Sequence, residues 1–425
     1  MNVKTTRTLG KLITLSLITS TMIHATNGDN LIAVGTKARG MGGTGIAVSH
    51  GAESGLGNAA LITSVEGTEI GFGGTVFMPD IETTFNADMV NLPPQSSYKS
   101  DADLSMIPEV SIAHKIDNNW YIGIGMWGTA GMGTDYQDND QNMSTGNAGN
   151  LRMVTNLQLM QFGVPIAYKT GGLSLAVTPV LQYGNLDINY VMPEGYQGLP
   201  SDMTVGAGLA QDFGFGYNLG IAYDFSANGV DGLTLGAVYK SSIEMNYDNQ
   251  LTTAVGAMSL TLPNGDTLEQ PEEYGVGIAY AMGQHTFAFD YKKIKWSDSK
   301  GYGDFGWNDS DVYAVGYEYT ENEWTVRLGY NHADTAVAEI PGGDTNFGAA
   351  ALNFFNLLGF PANAEDHYTV GASYEVTKAF SVDLAYVYAD NTSDTFNTAG
   401  LMMGIDSVTT THSEDSVSFQ LAYKF

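Results

Sequence analysis

Few side chains in this sequence are spaced for chemistry. Gly40-Met41-Gly42-Gly43-Thr44-Gly45 matches the G-x-G-x-x-G pattern of dinucleotide sites. No strand precedes it and no βαβ unit surrounds it, so the match has almost no weight. Asp135, Asp138 and Asp140 could offer oxygen ligands to Ca²⁺. The glycine and the closing glutamate of an EF-hand loop are missing, so a solvated acidic loop fits better. His50, His114, His285, His332, His367 and His412 are dispersed without metal-ligand spacing. We therefore expect no metal and no cofactor. Ser54 and His50 are close in sequence, but no G-x-S-x-G elbow occurs. An enzyme would need nucleophile, base and orienting group to converge, and no such set is legible.

The apolar residues outside the regular pattern are more informative. Segment 191–211 carries Met192, Leu199, Met203 and Leu209, and segment 334–367 carries Phe354, Phe355, Leu357, Leu358 and Phe360. Apolar patches in connecting segments mark interaction sites, and methionine adapts to varied ligand shapes. Packing of these segments on one another is an equal alternative. The chain has 17 basic against 46 acidic residues, a net charge of −29. That charge repels phosphate backbones, so nucleic acid is not an expected partner.

The elements that position these residues are strands. Fourteen stretches alternate with period two: 68–85, 105–115, 120–130, 152–168, 173–190, 212–225, 233–247, 273–282, 285–296, 311–319, 324–333, 368–376, 380–389 and 416–425. In the sixth, Phe213, Phe215, Tyr217, Leu219, Ile221, Tyr223 and Phe225 share one face, while Gly214, Gly216, Asn218, Gly220, Ala222 and Asp224 share the other. The last strand, SVSFQLAYKF, does the same and ends on Phe425. An apolar outer face over a small or polar inner face is the pattern of a transmembrane β-barrel. Connections alternate between short (117–119, 170–172, 377–379) and long (131–151, 334–367, 390–415), which a soluble sandwich would not sort so regularly. Lys4, Arg7 and Lys11 precede an apolar run, Leu12 to Ile23, and a cleavage-like Ile23-His24-Ala25, so residues 1–25 read as a signal peptide. There is no cysteine. Pro108 weakens the second strand, and the ninth loses alternation at Lys292, Lys293 and Lys295, as a bulge or early membrane exit would explain.

Residues 26–65 differ from the rest: rich in Gly, Ala and Ser, without alternation. Placed before a barrel, such a segment can fold into the lumen as a plug, leaving 66–425 as the barrel. The start NGDNLIAVGTKARGMGGTGIA and the element Asn58-Ala59-Ala60-Leu61-Ile62 resemble the FadL/TodX family of outer-membrane transporters. The similarity continues in MWGTAGMGTDY (126–136), EEYGVGIAYAM (272–282), VRLGYNH (326–332) and LGFPANAEDHYTVGASY (358–374). Where the family usually has Asn-Pro-Ala, this chain has Asn58-Ala59-Ala60, which frees the backbone there.

The resemblance implies an all-β, fourteen-stranded antiparallel barrel with an N-terminal hatch at Asn58, Ala59 and Ala60. It implies passive uptake of long-chain fatty acids or hydrocarbons, captured among extracellular loops and released sideways where the third strand kinks. Gly128, Gly131 and Gly133 tolerate such a kink. Met126, Trp127 and Met132 in the same motif join the loop residues as candidate substrate contacts. Arg327 lies between Val326 and Leu328, so it faces the lumen if they face lipid. There it could pair with a substrate carboxylate; we favour a salt bridge to an acid such as Glu53 or Glu66. The expected partners are a hydrophobic small molecule and outer-membrane lipid with its lipopolysaccharide, a divalent bridge to the latter at Asp135, Asp138 and Asp140 being the alternative to a solvated acidic loop. A monomer is expected. The alternatives are a general diffusion porin and, less favoured, an outer-membrane lipase-like enzyme.

Overall fold

The computed structural model describes residues 26–86, 95–137, 151–192, 194, 198–401 and 403–425. The signal-peptide reading and Asp138 and Asp140 fall outside them. Fourteen barrel strands follow in chain order. They are β1 Thr68–Asn86, β2 Ser105–Lys115, β3 Trp120–Met132, β4 Val154–Gly163 continuing as Ile166–Thr170, and β5 Leu173–Met192. Next come β6 Ala210–Asp224, β7 Leu233–Lys240, β8 Glu273–Met282, β9 His285–Ile294 and β10 Ser310–Glu321. β11 Trp324–Ala333, β12 Asp366–Thr377, β13 Phe380–Asn397 and β14 Ser407–Lys424 complete the set. Each pairs antiparallel with the next, and β14 returns to β1 from Lys424↔Glu69 to Ser407↔Asn86. The sheet therefore closes into a barrel without free edges.

Exposure inverts the usual rule. On β6, Phe215 is 77% exposed, while on β14 Ser416, Ser418 and Gln420 are buried. Large apolar side chains outside and small polar ones inside are what a lipid surround selects. Pro108 belongs to β2 after all. It pairs with Gly74 of β1, and the β2–β3 ladder begins only at Glu109, next to it. β9 keeps its register to Ile294↔Ser310, with Lys292 inward and Lys293 outward beside Asp311 (3.0 Å). It has no bulge in either ladder.

Among the described residues, three α-helices break the all-strand expectation: α1 Thr36–Gly40, α2 Gln250–Gly256 and α3 Phe347–Gly359. α3 lies within the long connection 334–367, where the alternation pattern predicts no regular element. Asn346 caps it by accepting from Ala349 N (3.1 Å). Its last carbonyls, which no helix satisfies internally, accept from threonine hydroxyls. Thr410 reaches Leu357 O (2.9 Å), Thr134 reaches Leu358 O (2.8 Å) and Thr155 reaches Gly359 O (2.5 Å).

Candidate functional site

Tertiary packing gathers the long connections into one apolar core. Phe354, Phe355, Leu357, Leu358 and Phe360 are buried there with Met132 and Met192, and Leu199 packs against it. Phe355 meets Phe305 at 5.6 Å and Tyr190 at 6.4 Å between ring centroids; Phe354 meets Phe85 at 6.0 Å. Met203 and Leu209 remain exposed. Met126 faces outward with Ile122 and Ile124, whereas Trp127 faces inward and is buried. The sequence motif had grouped Met126 and Trp127, but neighbours on a strand point to opposite faces.

The third strand parts from the second. β2 and β3 pair from Lys115↔Tyr121 to Glu109↔Trp127 and no further. Beyond that point the β3–β4 register slips between Gly128 and Ala130. β3 takes a different neighbour: Ala130 pairs with Asn30, and Gly131 N donates to Asp29 O (3.1 Å). Ile107 of β2 fills the gap. A Cβ on Gly128 would stand 2.5 Å from its Cγ2, and one on Gly133 would meet Thr155 O at 2.0 Å. Both glycines are thus required by close approach. A small cavity beside Ile107 and Gly128 is also lined by Leu31, Val34, Glu109 and Trp127.

The segment 26–64 is tied to the inward face of the wall by polar bonds. Asp290 accepts from Gly45 N and Ile46 N (2.8 and 2.9 Å). Arg39 donates to Ser416 and Ser418 (2.7 and 3.1 Å). Glu53 accepts from Lys37 N and Ala38 N, and Lys37 lies 3.6 Å from Asp383. Asn58 donates to Ile46 O (2.7 Å) and Ile221 O (3.1 Å) while its carbonyl caps the turn at Ala60 N. The Asn58 cap holds the Ala59–Ser64 turn without the family's proline. Bare wall makes room: a Cβ on Gly220 would sit 2.2 Å from Asn58, and one on Gly236 2.0 Å from Ile46 O. Gly28 lies on Trp296, and Asp29 accepts from Tyr302 and from Gln270 (3.3 Å). Burial pushes the Asp29 carboxyl up to about 7.

Between this segment and the wall is a cavity of about 90 Å³, lined by Ile32, Val34, Ile46 and Val238 and by Lys240, Glu273 and Lys292. Lys240 pairs with Glu273 (3.0 Å), and Lys292 donates to Ile32 O (3.2 Å). Two cations and one anion line it, and the buried Asp290 carboxylate on the same strand as Lys292 lies within electrostatic reach of that lysine. The sequence reading missed this trio, although Ala288, Asp290 and Lys292 share a parity that points inward. Thr129 at the β3 slip lines the same cavity.

Arg327 is inward and buried, as alternation predicts, but its guanidinium goes to Glu318 (2.7 Å) and Ser373 (2.6 Å) of neighbouring strands. The partner is thus a wall acid, not Glu53 or Glu66. Ser54 and His50 form no dyad. Ser54 Oγ accepts from His50 N (2.8 Å), and the His50 ring bonds Thr44 O (2.9 Å). His367 and His412, far apart in sequence, flank buried Glu414 at 3.4 and 3.2 Å. No metal-holding group of three such residues occurs among the described residues. Asp135 accepts from Gln137 N (2.9 Å).

Residues 17–425 match the family model described as outer membrane protein transport protein (OMPP1/FadL/TodX). The chain belongs to this family. It is 25% identical over 369 residues to a long-chain fatty acid transport protein of Escherichia coli O6:H1, covering 75% of this chain and 79% of that protein. It is 22% identical over 364 residues to a 47 kDa outer membrane protein of Pasteurella multocida, covering 81% and 82%. Among solved structures, a Pseudomonas aeruginosa FadL homologue aligns with a TM-score of 0.69 at 15% identity, covering 94% of this chain and all of that one. The Pseudomonas putida toluene transporter TodX aligns with a TM-score of 0.66 at 17% identity, covering 93% and 99%. This FadL/TodX-family chain is therefore an outer-membrane transport protein, and those structures share its barrel fold.

Proposed function

We propose that this chain is a passive, monomeric conduit for hydrophobic molecules with an acidic head, of which long-chain fatty acids are the type. Substrate enters through the apolar core around α3, passes to the Lys240–Glu273–Lys292 cavity, and leaves sideways into the bilayer between β2 and β3. The single observation that carries the reading is the end of the β2–β3 ladder at Glu109↔Trp127. Only there, among the described strand pairs, does a wall strand exchange its neighbour for the N-terminal segment. The many wall bonds of residues 26–64 support a fixed hatch, which blocks the straight path and makes the wall the exit. A cavity of about 90 Å³ is roughly three waters' worth, so an acyl chain must displace Leu31 to Val34. This partition lines both the cavity and the gap. Lys240 and Lys292 on the cavity wall supply ammonium donors that a carboxylate accepts from and an uncharged hydrocarbon does not use. Transport of this kind needs no catalysis, and the Ser54–His50 pair is spent on the hatch backbone.

A tether tests the exit. The chain has no cysteine, and a Cβ on Gly128 would lie 3.8 Å from Ile107 Cβ, the separation disulfides prefer. In an Ile107→Cys/Gly128→Cys variant, oxidation should stop fatty-acid uptake into proteoliposomes and reduction should restore it. Equal uptake in both redox states, with the disulfide verified by mass, would overturn lateral release.

A further inference from the structure

The outer face of β13, β14 and β1 changes chemistry above the aromatic belt. On β14 the outward set Val417, Phe419, Leu421 and Tyr423 gives way to Asp415, Ser413, Thr411, Thr409 and Ser407. The Tyr386 hydroxyl on Asp415 marks the change. Across the ladder, Thr395, Thr409, Thr84 and Ser97 form one row over four strands, the fourth being Gln95–Lys99. Ser393, Thr411, Glu82 and Lys99 form the next row. The hydroxyls bond sideways within a row: Thr84 to Ser97 (2.7 Å) and Thr395 to Thr409 (2.7 Å).

Eight residue-to-residue steps from Asp415 to Ser407, at about 3.4 Å each and tilted about 40°, raise this face about 20 Å above the belt. The wall behind it is firm. Phe85, Phe396 and Val408, facing inward, pack in the core with α3, and Thr410 bonds Leu357 O.

We propose that this hydroxyl-bearing face docks the sugar portion of the outer-leaflet glycolipid. Continuity with the lipid-facing band decides the occupant: a molecule against this face stands in the leaflet beside that band. Strands about 4.8 Å apart carry these hydroxyls in rows about 7 Å apart, which offers donors and acceptors in a plane and suits sugar hydroxyls. Phosphate is not the anchor. Lys99 is the one cation in these two rows, and Asp80 holds it at 3.0 Å. The proposal rests on the outer-membrane placement and not on the route taken by substrate.

The test uses the full protein in nanodiscs and three probes: lipopolysaccharide bearing the core sugars, lipid A without them, and phosphatidylglycerol. Core-bearing lipopolysaccharide should bind at least tenfold tighter than lipid A or phosphatidylglycerol. A Thr84→Val/Thr395→Val/Thr409→Val/Thr411→Val variant should lose that difference, since valine keeps the β-branched shape without the hydroxyl. Serine at the same four positions should restore it. Equal binding of the core-bearing and lipid A probes, or a valine variant that keeps the preference, would overturn the proposal. Fatty-acid uptake into glycolipid-free proteoliposomes should be the same for wild type and the valine variant, so failure of the transport reading is scored separately from sugar docking. A valine variant that loses uptake there would show the face to be structural and overturn the docking role.

Discussion

At the residue scale, two buried cations have different work. Arg327 is held by Glu318 and Ser373 on adjacent strands, so both sides of its charge are already matched. Lys292 has a carbonyl for its close partner and shares Glu273 with Lys240. Lys292→Met should therefore weaken fatty-acid binding about tenfold, the loss of one charge-assisted bond, and leave hydrocarbon binding unchanged. Arg327→Ala should leave both affinities alone but lower thermal stability, because Glu318 is then half-buried without its partner. Calorimetric titration with a fatty acid and an alkane separates the two. Equal loss for both ligands in Lys292→Met would remove the carboxylate from the proposal. Alternation made Arg327 legible as an inward residue, but only the fold could say that its partner sits on the next strand rather than in the hatch.

At the element scale, the N-terminal turn and α3 are the parts that sequence pattern described least well. The turn seats Gly28 on Trp296 and Asp29 on Tyr302. Asp29 has an ordinary value of 3.8 and is raised to about 7 when docked. The docked turn thus holds the proton more tightly than the undocked one. Docking is strongest below the ordinary value, weakens as pH rises through the window from 3.8 to about 7, and is level above it. Hydrogen-exchange protection of residues 28–31, corrected for intrinsic rates, should fall across that window in the native protein and stay flat in Asp29→Asn. A rise with pH would contradict burial as the cause. α3 had a signal: Asn346 before Phe347–Gly359, an alanine- and leucine-rich stretch ending in glycine. Strong period-two alternation in the strands on either side masks that signal. What fastens its far end, three threonine hydroxyls from distant positions, has no local signature.

At the scale of the whole molecule, the proposed plug of residues 26–65 should keep the barrel from leaking. Planar-bilayer conductance of the intact protein should be near zero, and deletion of residues 26–65 should open a steady channel. A large steady conductance from the intact chain would restore the porin reading. The barrel itself was legible because its alternation has period two and repeats in every strand. Lipid outside and packed lumen inside sort side chains by face, and that sorting is written residue by residue in β6 and β14. Residues 26–65 stand out in the sequence as a departure from the pattern, and Gly220 and Gly236 leave the space in which Asn58 and Ile46 meet the wall. The sequence alone determined how many strands cross, which face meets lipid and which connections are long. The tertiary structure decided where the β2–β3 ladder ends, which cations are already paired and which loop residues meet. Those depend on contacts between positions hundreds of residues apart, and no local period encodes them.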